Sequence, residues 1–286
     1  HVLLSGESGG YYADYAEGTS GRHPLEHLGR ALTEGYVYQG DVSNFRNGER
    51  RGQPSSHLPL TAFVSFLQNH DQVGNRAFGE RLTRLADARP LEAVTAVWLL
   101  SPQIPLLFMG EEWGSRSPFY FFCDLGPELA PLVSEGRRRE FARFPEFSDP
   151  KVREAIPDPV RPETFEASRL DWRERQTPEG RARLELYSQL LGIRQREIVP
   201  RLPLISVSRC GFRVFEQRVL HCLWQLDKQE RLLMLANLSP DAIPVPMPLP
   251  AGRLIHAYPE DGEADLRESR LPAWSCYWFI EPGATA

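Results

Sequence analysis

Short apolar runs that end abruptly in polar or acidic clusters mark the first two thirds of this 286-residue sequence, and short alternating runs mark the last third. The sharpest change lies between Phe63 and Arg76. Phe63-Val64-Ser65-Phe66-Leu67 is β-branched and aromatic, which predicts a strand buried on both faces. Gln68, Asn69, His70, Asp71 and Gln72 follow as consecutive polar side chains, then Gly74 and Asn75, which permit a turn, and Arg76. Each polar group left unpaired at the end of a buried strand costs roughly 1 to 3 kcal/mol. These side chains therefore face one another, solvent or a ligand. Ile104 to Met109 predicts a second buried strand, again ending in glycine and acidic residues, Gly110-Glu111-Glu112-Trp113-Gly114.

Helical periodicity appears in between. His1 to Leu4 reads as the tail of a helix broken at Gly9-Gly10. Leu25, Leu28, Leu32 and Tyr36 recur at helical spacing after Pro24, with Gly35 near the end. Pro90-Leu91 opens an apolar helix through Leu100, with proline in the first turn. Arg137 to Phe147 reads as a charged helix with Arg137-Arg138-Arg139 on a solvated face. Leu184, Tyr187, Leu190, Leu191 and Ile193 give an amphipathic helix ending near Pro200. Gly40 to Pro59 has no apolar period and reads as a long loop with Arg46, Arg50 and Arg51 at a solvated tip. Pro145 to Pro162, rich in proline, reads as irregular. Ser115 to Pro127 carries Phe119-Tyr120-Phe121-Phe122, a lid or subsite wall in one reading and a hydrophobic plug in the other. Beyond Leu202, the runs 213–216, 219–224, 232–237 and 274–280 are strand signals of a β-sandwich. The expected division is therefore 1–202 and 203–286.

Composition narrows the function classes. The hydrophobic fraction of 41% and charged fraction of 25% are those of an ordinary globular protein. A net charge of −5 with no long basic stripe argues against a nucleic-acid partner. The longest apolar stretch, Val94 to Met109, is broken by Ser101, Pro102, Gln103 and Pro105, which argues against a membrane partner. Cys123, Cys210, Cys222 and Cys276 show no metal-type spacing and read as reduced thiols of a cytoplasmic protein. His221 and His256 each stand alone and read as core or surface residues, so no metal and no cofactor is expected.

The polar cluster carries the candidate chemistry. In a barrel of parallel strands, catalytic side chains gather at the carboxyl ends of the strands, where Asp71 falls. A satisfied polar network around a loop is the competing reading. Asn69-His70-Asp71-Gln72, preceded by Phe66-Leu67 and followed by Val73-Gly74-Asn75-Arg76, resembles the strand-seven motif of the α-amylase superfamily of retaining glycoside hydrolases. Gly10-Tyr11-Tyr12-Ala13-Asp14-Tyr15 resembles the stretch after the strand that bears the general acid. Pro105 to Gly114 resembles strand eight and its loop, and Phe119 to Leu125 an insertion of the superfamily's trehalohydrolase branch.

The resemblance implies an α/β fold, the carboxyl-terminal part of a (β/α)8 barrel in 1–202 followed by an all-β sandwich in 203–286. It also implies hydrolysis of an α-1,4-glucosidic bond beside a terminal trehalose, with malto-oligosyltrehalose or a related α-glucan as partner. Asp71 then matches the carboxylate that stabilises charge developing in the distorted sugar ring. His70 donates to a hydroxyl of that sugar, and Asn69, Gln72 and Arg76 fix the rim of the subsite. Retaining hydrolysis needs two further carboxyl groups about 5 to 5.5 Å apart. The strands that carry them in the superfamily have no match here, so the sequence reads as an amino-terminally truncated portion, inactive by itself and with an uncovered apolar face. Glu111 and Glu112 read as sugar-binding or as partners of an arginine such as Arg76, not as the general acid. A branching enzyme or amylase, and a non-catalytic barrel-derived binding or adaptor protein, are the alternatives.

Overall fold

The computed structural model describes residues 1–16, 21–142, 144, 147–226 and 230–282. In chain order the elements are α1 (Val2–Ser5), α2 (Pro24–Glu34), β1 (Gln39–Ser43), β2 (Glu49–Gly52), β3 (Val64–Ser65), α3 (His70–Gly74), α4 (Leu82–Leu85), α5 (Ala88–Leu100) and β4 (Ile104–Pro105). They continue with α6 (Ala130–Phe141), α7 (Pro150–Glu154), α8 (Pro162–Ala167), α9 (Pro178–Ile193), β5 (Gly211–Phe215), β6 (Val219–Gln225), β7 (Glu230–Asn237), β8 (Ile243–Pro244), β9 (Arg253–Tyr258), α10 (Gly262–Arg267), β10 (Arg270–Leu271) and β11 (Ser275–Pro282). The chain forms two compact units, one of His1–Leu67, Ala86–Leu106 and Tyr187–Ala286, the other of Gln68–Leu85 and Leu107–Leu186.

The first unit is built on an antiparallel sheet of order β5-β6-β7-β11-β9. Its central strands are continuous apolar runs because both faces are covered. On one face Val219, Leu233, Leu235, Tyr277 and Phe279 pack with Ile243 of β8, Leu266 of α10 and Leu271 of β10. The opposite face, with the stacked pair Trp224 and Trp278, is also buried. Helix α2 packs on β5 and β6, and α5 on β11. Gly29 is the reason α2 lies so close: a Cβ there would stand 2.4 Å from the Phe212 ring.

Helix α2 begins at a His23–Glu26 capping box, with Pro24 in its first turn, and stops at Gly35, whose φ of 92° a side chain would strain. The carbonyls left over at its end are taken by buried side chains from elsewhere in the unit. Gln103 Nε2 donates to Ala31 and Leu32, and Trp224 Nε1 donates to Leu32. Helix α5 is finished in the same way. Arg194, in a π-helical turn after α9, donates to the carbonyls of Leu99 at 2.9 Å, Ser101 at 2.5 Å and Gln103 at 2.7 Å. Burial holds its guanidinium down at about 10.

Two expectations about this unit are corrected. The stretch 40–59 contains a hairpin, β1 with β2, in place of a loop. Its side chains are mostly solvated, so no apolar alternation betrays it. It is anchored by polar groups instead: Asp41 receives Arg22 at 2.9 Å and Arg30 at 2.8 Å. The strands expected over 63–67 and 104–109 are short, β3 pairing in parallel with β4 through Val64↔Ile104 and Ser65↔Pro105. Val64, Phe66, Ile104 and Leu106 are exposed, so the apolar run does not lie buried on both faces. Among the described residues no third strand joins this pair.

Asp14, in the turn Gly10–Tyr15, is buried and accepts from Tyr38 Oη at 2.6 Å, from Ser43 Oγ and from Phe45 N at 3.0 Å. Burial alone would raise its carboxyl, but these bonds outweigh burial and hold it below the usual range. For Asp41, burial is likewise outweighed by the Gln39 N–H and the Arg30 and Arg22 guanidiniums, which bring it to about 2. Both folded values lie below the unfolded ones. The stabilisation is therefore full above about pH 4 and is lost as pH falls toward 2. The unfolding midpoint is expected to fall as pH drops from about 4 toward 2, with Asp14→Asn plus Asp41→Asn making the curve shallower over that window. A wild-type midpoint that stays level throughout would refute this.

In the second unit, Ala77, Phe141 and Ile156 form a core with Phe78, Phe144 and Phe147 around it. Helix α6 starts and ends earlier than expected, and α7 stands inside the stretch read as irregular, capped by Asp149 through Lys151 N at 2.9 Å. Pro145 lies outside the described residues.

Candidate active site

The polar cluster folds as a single capped turn of helix. Asn69 is the N-cap of α3: its Oδ1 accepts from Asp71 N at 2.7 Å, and its own N–H donates to Gln72 Oε1 at 3.0 Å. This reciprocal box satisfies donors at the helix start and spends the Asn69 and Gln72 acceptors on the backbone. His70 and Asp71 are left pointing outward, with side chains 70% and 65% exposed and His70 Nε2 at 3.5 Å from Asp71 Oδ1. Arg76, just beyond, donates from Nε to Glu80 at 3.2 Å. The local result is an exposed carboxylate and imidazole on a turn whose backbone is fixed.

That turn is held from below by side chains of the same unit. Gln68 is buried and accepts from Leu82 N at 3.0 Å. Arg137, expected on a solvated face, is instead buried: its Nη2 donates to the carbonyls of Gly74 at 2.8 Å and Arg76 at 3.1 Å, while its guanidinium lies against the rings of Phe121 and Phe141. The two backbone carbonyls, the two ring faces and the Glu140 carboxylate, 3.3 Å from Nη1, offset the cost of burying the charge. Arg138 and Arg139 are the solvated members of the run, paired with Asp158 and Glu135. Arg137→Met is expected to lower stability by about 2 to 4 kcal/mol by stranding two carbonyls, read as a shift in denaturant midpoint. A midpoint equal to wild type would show that the bonds to Gly74 and Arg76 hold nothing.

The glutamates after β4 sit in a tight turn between Gly110 and Gly114, both at positive φ of 84° and 69°. Glu111 is buried and accepts from Phe108 N at 3.2 Å, so it serves its own loop. Arg81, fully buried, crosses beneath, donating to Met109 O at 2.8 Å and Ser117 O at 2.7 Å with its guanidinium over the Phe108 ring. Phe119 packs edge-on against Phe108 and Phe122, and Phe122 against Phe165, so the aromatic segment is internally packed.

Residues 208–278 match a family model described as a domain of unknown function, DUF3459. The malto-oligosyltrehalose trehalohydrolase of Deinococcus radiodurans is 42% identical over 199 residues, which cover 69% of this chain and 32% of that protein. The enzyme of the same name from Mycobacterium tuberculosis is 34% identical over 260 residues, 90% of this chain and 41% of that one. The crystal structure of a protein described as an alpha amylase from Salmonella typhimurium superposes with a TM-score of 0.85 at 39% identity, covering 98% of this chain and 44% of that chain. The chain is homologous to malto-oligosyltrehalose trehalohydrolases and to that alpha amylase. It spans about a third to two fifths of the length of these curated relatives. The mixed α/β class expected from the sequence agrees with the structural likeness.

Other residues singled out in the sequence are placed as follows. Tyr11 is exposed beside Phe45, and Tyr12 stacks on His1 at 4.3 Å. Arg51 lies over the Tyr38 ring and Arg50 donates to Gly40 O at 2.8 Å. His221 is buried, and the Nε2 of His256 is enclosed. Burial lowers both imidazoles, His256 to about 4. The four cysteines are free thiols. Among the described residues no three His, Cys, Asp or Glu side chains are grouped to hold a metal, and no helix is long and apolar enough to cross a membrane. The supporting roles of Gln68, Arg81 and Arg137 were not read from sequence. Arg137 alone left a signal, since it shares a helical stripe with Ser134 and Phe141.

Proposed function

We propose that the protein bearing this chain is a glycoside hydrolase that cleaves the α-1,4-glucosidic bond beside the terminal trehalose of malto-oligosyltrehalose and releases trehalose. The observation that carries the reading is the outward-facing Asp71 and His70 on a turn fixed by the Asn69–Gln72 box, within a chain homologous to proteins of that name. In this reading Asp71 bonds the hydroxyls of the distorted sugar and strengthens that bond as positive charge develops in the ring. His70 donates to the same sugar, Asn69 and Gln72 keep the turn in shape, and Arg76 borders the subsite. The nucleophile and the general acid are assigned to no residue of His1–Ala286. The division of the chain after Leu202 into a barrel portion and a sheet domain belongs to the same proposal.

The test is trehalose release from malto-oligosyltrehalose by a protein that carries this chain at the length of its relatives, set against the chain alone. Release by the long form only supports the reading. A long form that binds maltosides without cleaving them shows a carbohydrate-binding protein, and turnover by the short chain places the missing carboxylates within it.

A further inference from the structure

One concavity in the first unit lies away from Asp71 in sequence and function, on the carboxyl-terminal sheet. The strand register sets Arg213 opposite His221, Leu223 opposite Leu233, and Arg231 opposite Glu281. Residues alternate across a strand, so these side chains share the face that carries Val219, Leu235 and Tyr277. There a cavity of about 510 Å³ opens, floored by Leu223 and Leu233, with Met247 and Leu249 beside them and the arginines Arg209, Arg213 and Arg231 around them. Its volume falls in the range of small-molecule sites, roughly 300 to 1,000 Å³.

The charges are unevenly matched. Arg231 donates from Nη2 to Glu281 at 2.5 Å, and the other Glu281 oxygen accepts from Ala251 N at 2.8 Å. That leaves Arg231 Nε buried with no partner. Arg209 and Arg213 are exposed at this cavity and have no ion-pair partner among the described residues. Three guanidiniums against one carboxylate leave a surplus of two positive charges, in a chain whose net charge is −5.

We propose that this cavity binds a small phosphate monoester, with the phosphoryl group on Arg209 and Arg213 and the body of the molecule on Leu223, Leu233 and Met247. A phosphate monoester carries about −1.5 to −2 near neutral pH, which matches the local surplus. The guanidinium fork presents paired N–H donors to phosphoryl oxygens. The His221 ring, also on this face, adds a polar edge. Because burial and the neighbouring Arg213 lower its imidazole, it does so without adding to the charge.

Calorimetric titration of the full-length protein tests this, with phenyl phosphate and inorganic phosphate as probes and an Arg209→Gln, Arg213→Gln double variant as comparison. Both arginines are exposed, so the variant is expected to fold with an unchanged melting temperature. The expected result is saturable binding of phenyl phosphate, about tenfold or more weaker for inorganic phosphate and about tenfold or more weaker in the variant, at least the size expected for losing a charged hydrogen bond. Absence of binding, equal affinity in the double variant, or inorganic phosphate binding as tightly as phenyl phosphate overturns the proposal.

Discussion

Changing Asp71 to Asn in the full-length protein is expected to cut the proposed hydrolysis by about 10² to 10³-fold while leaving the melting temperature where it was. The rate effect follows from the role assigned to Asp71. A fixed negative group whose interaction strengthens as positive charge develops in the sugar lowers the barrier by the amount typical of one such electrostatic contact. The stability half follows from the structure, because the carboxylate is mostly exposed and stands no closer than 3.5 Å to His70. An exposed pair of this kind contributes little to folding. Asn also preserves the backbone contacts of the capped turn, which come from Asn69 and Gln72. Steady-state rates and a thermal melt on the same preparation decide the matter. Unchanged rates would remove Asp71 from the chemistry, and a large fall in melting temperature would recast it as structural.

The largest stability effect is expected at Arg194. Its guanidinium is buried and holds three close carbonyls, those of Leu99, Ser101 and Gln103, where α5 ends and the chain turns toward β4. A cation at that end also opposes the negative pole of the helix. Arg194→Met keeps much of the apolar stem but leaves the three carbonyls without a donor in a site with little access to water. At about 1 to 3 kcal/mol for each unsatisfied group, and with some relief from water, the loss is about 3 to 5 kcal/mol. That corresponds to a fall in melting temperature of about 10 °C for a domain of this size. Arg194→Lys retains the charge but offers a single nitrogen where the guanidinium spans three acceptors, so it is expected to fall between the two. A Met variant that melts with wild type would mean that the end of α5 is supported by something else.

Legibility followed burial. Strands β6, β7 and β11 were readable because both of their faces are covered and their sequences are continuous apolar runs. Helix α2 was readable from Leu25, Leu28, Leu32 and the terminal Gly35. The β1–β2 hairpin was not, because its pairing rests on backbone bonds and on ion pairs to Asp41, neither of which leaves a period in the sequence. Helix α7 was hidden by the prolines around it, although Asp149 ahead of Pro150 is an N-cap signal. At the candidate site, the polar run 68–72 announced itself, and its role came from resemblance to a family. What holds the run in place was hidden, because Arg137 reaches it from far along the chain and an arginine triplet reads as solvated until its neighbours are known.

The same habit recurs at several joints of the molecule: Gln103 and Trp224 on the end of α2, Arg194 on the end of α5, Arg81 under Met109, and Arg137 under Gly74. In each case a side chain grips main-chain carbonyls, which every residue type supplies. Substitution at a gripped position therefore leaves the grip itself intact so long as the backbone path survives, whereas the gripping residue has few substitutes. Among descendants of this sequence, the exposed Met109 should vary more freely than Arg81, which holds its carbonyl.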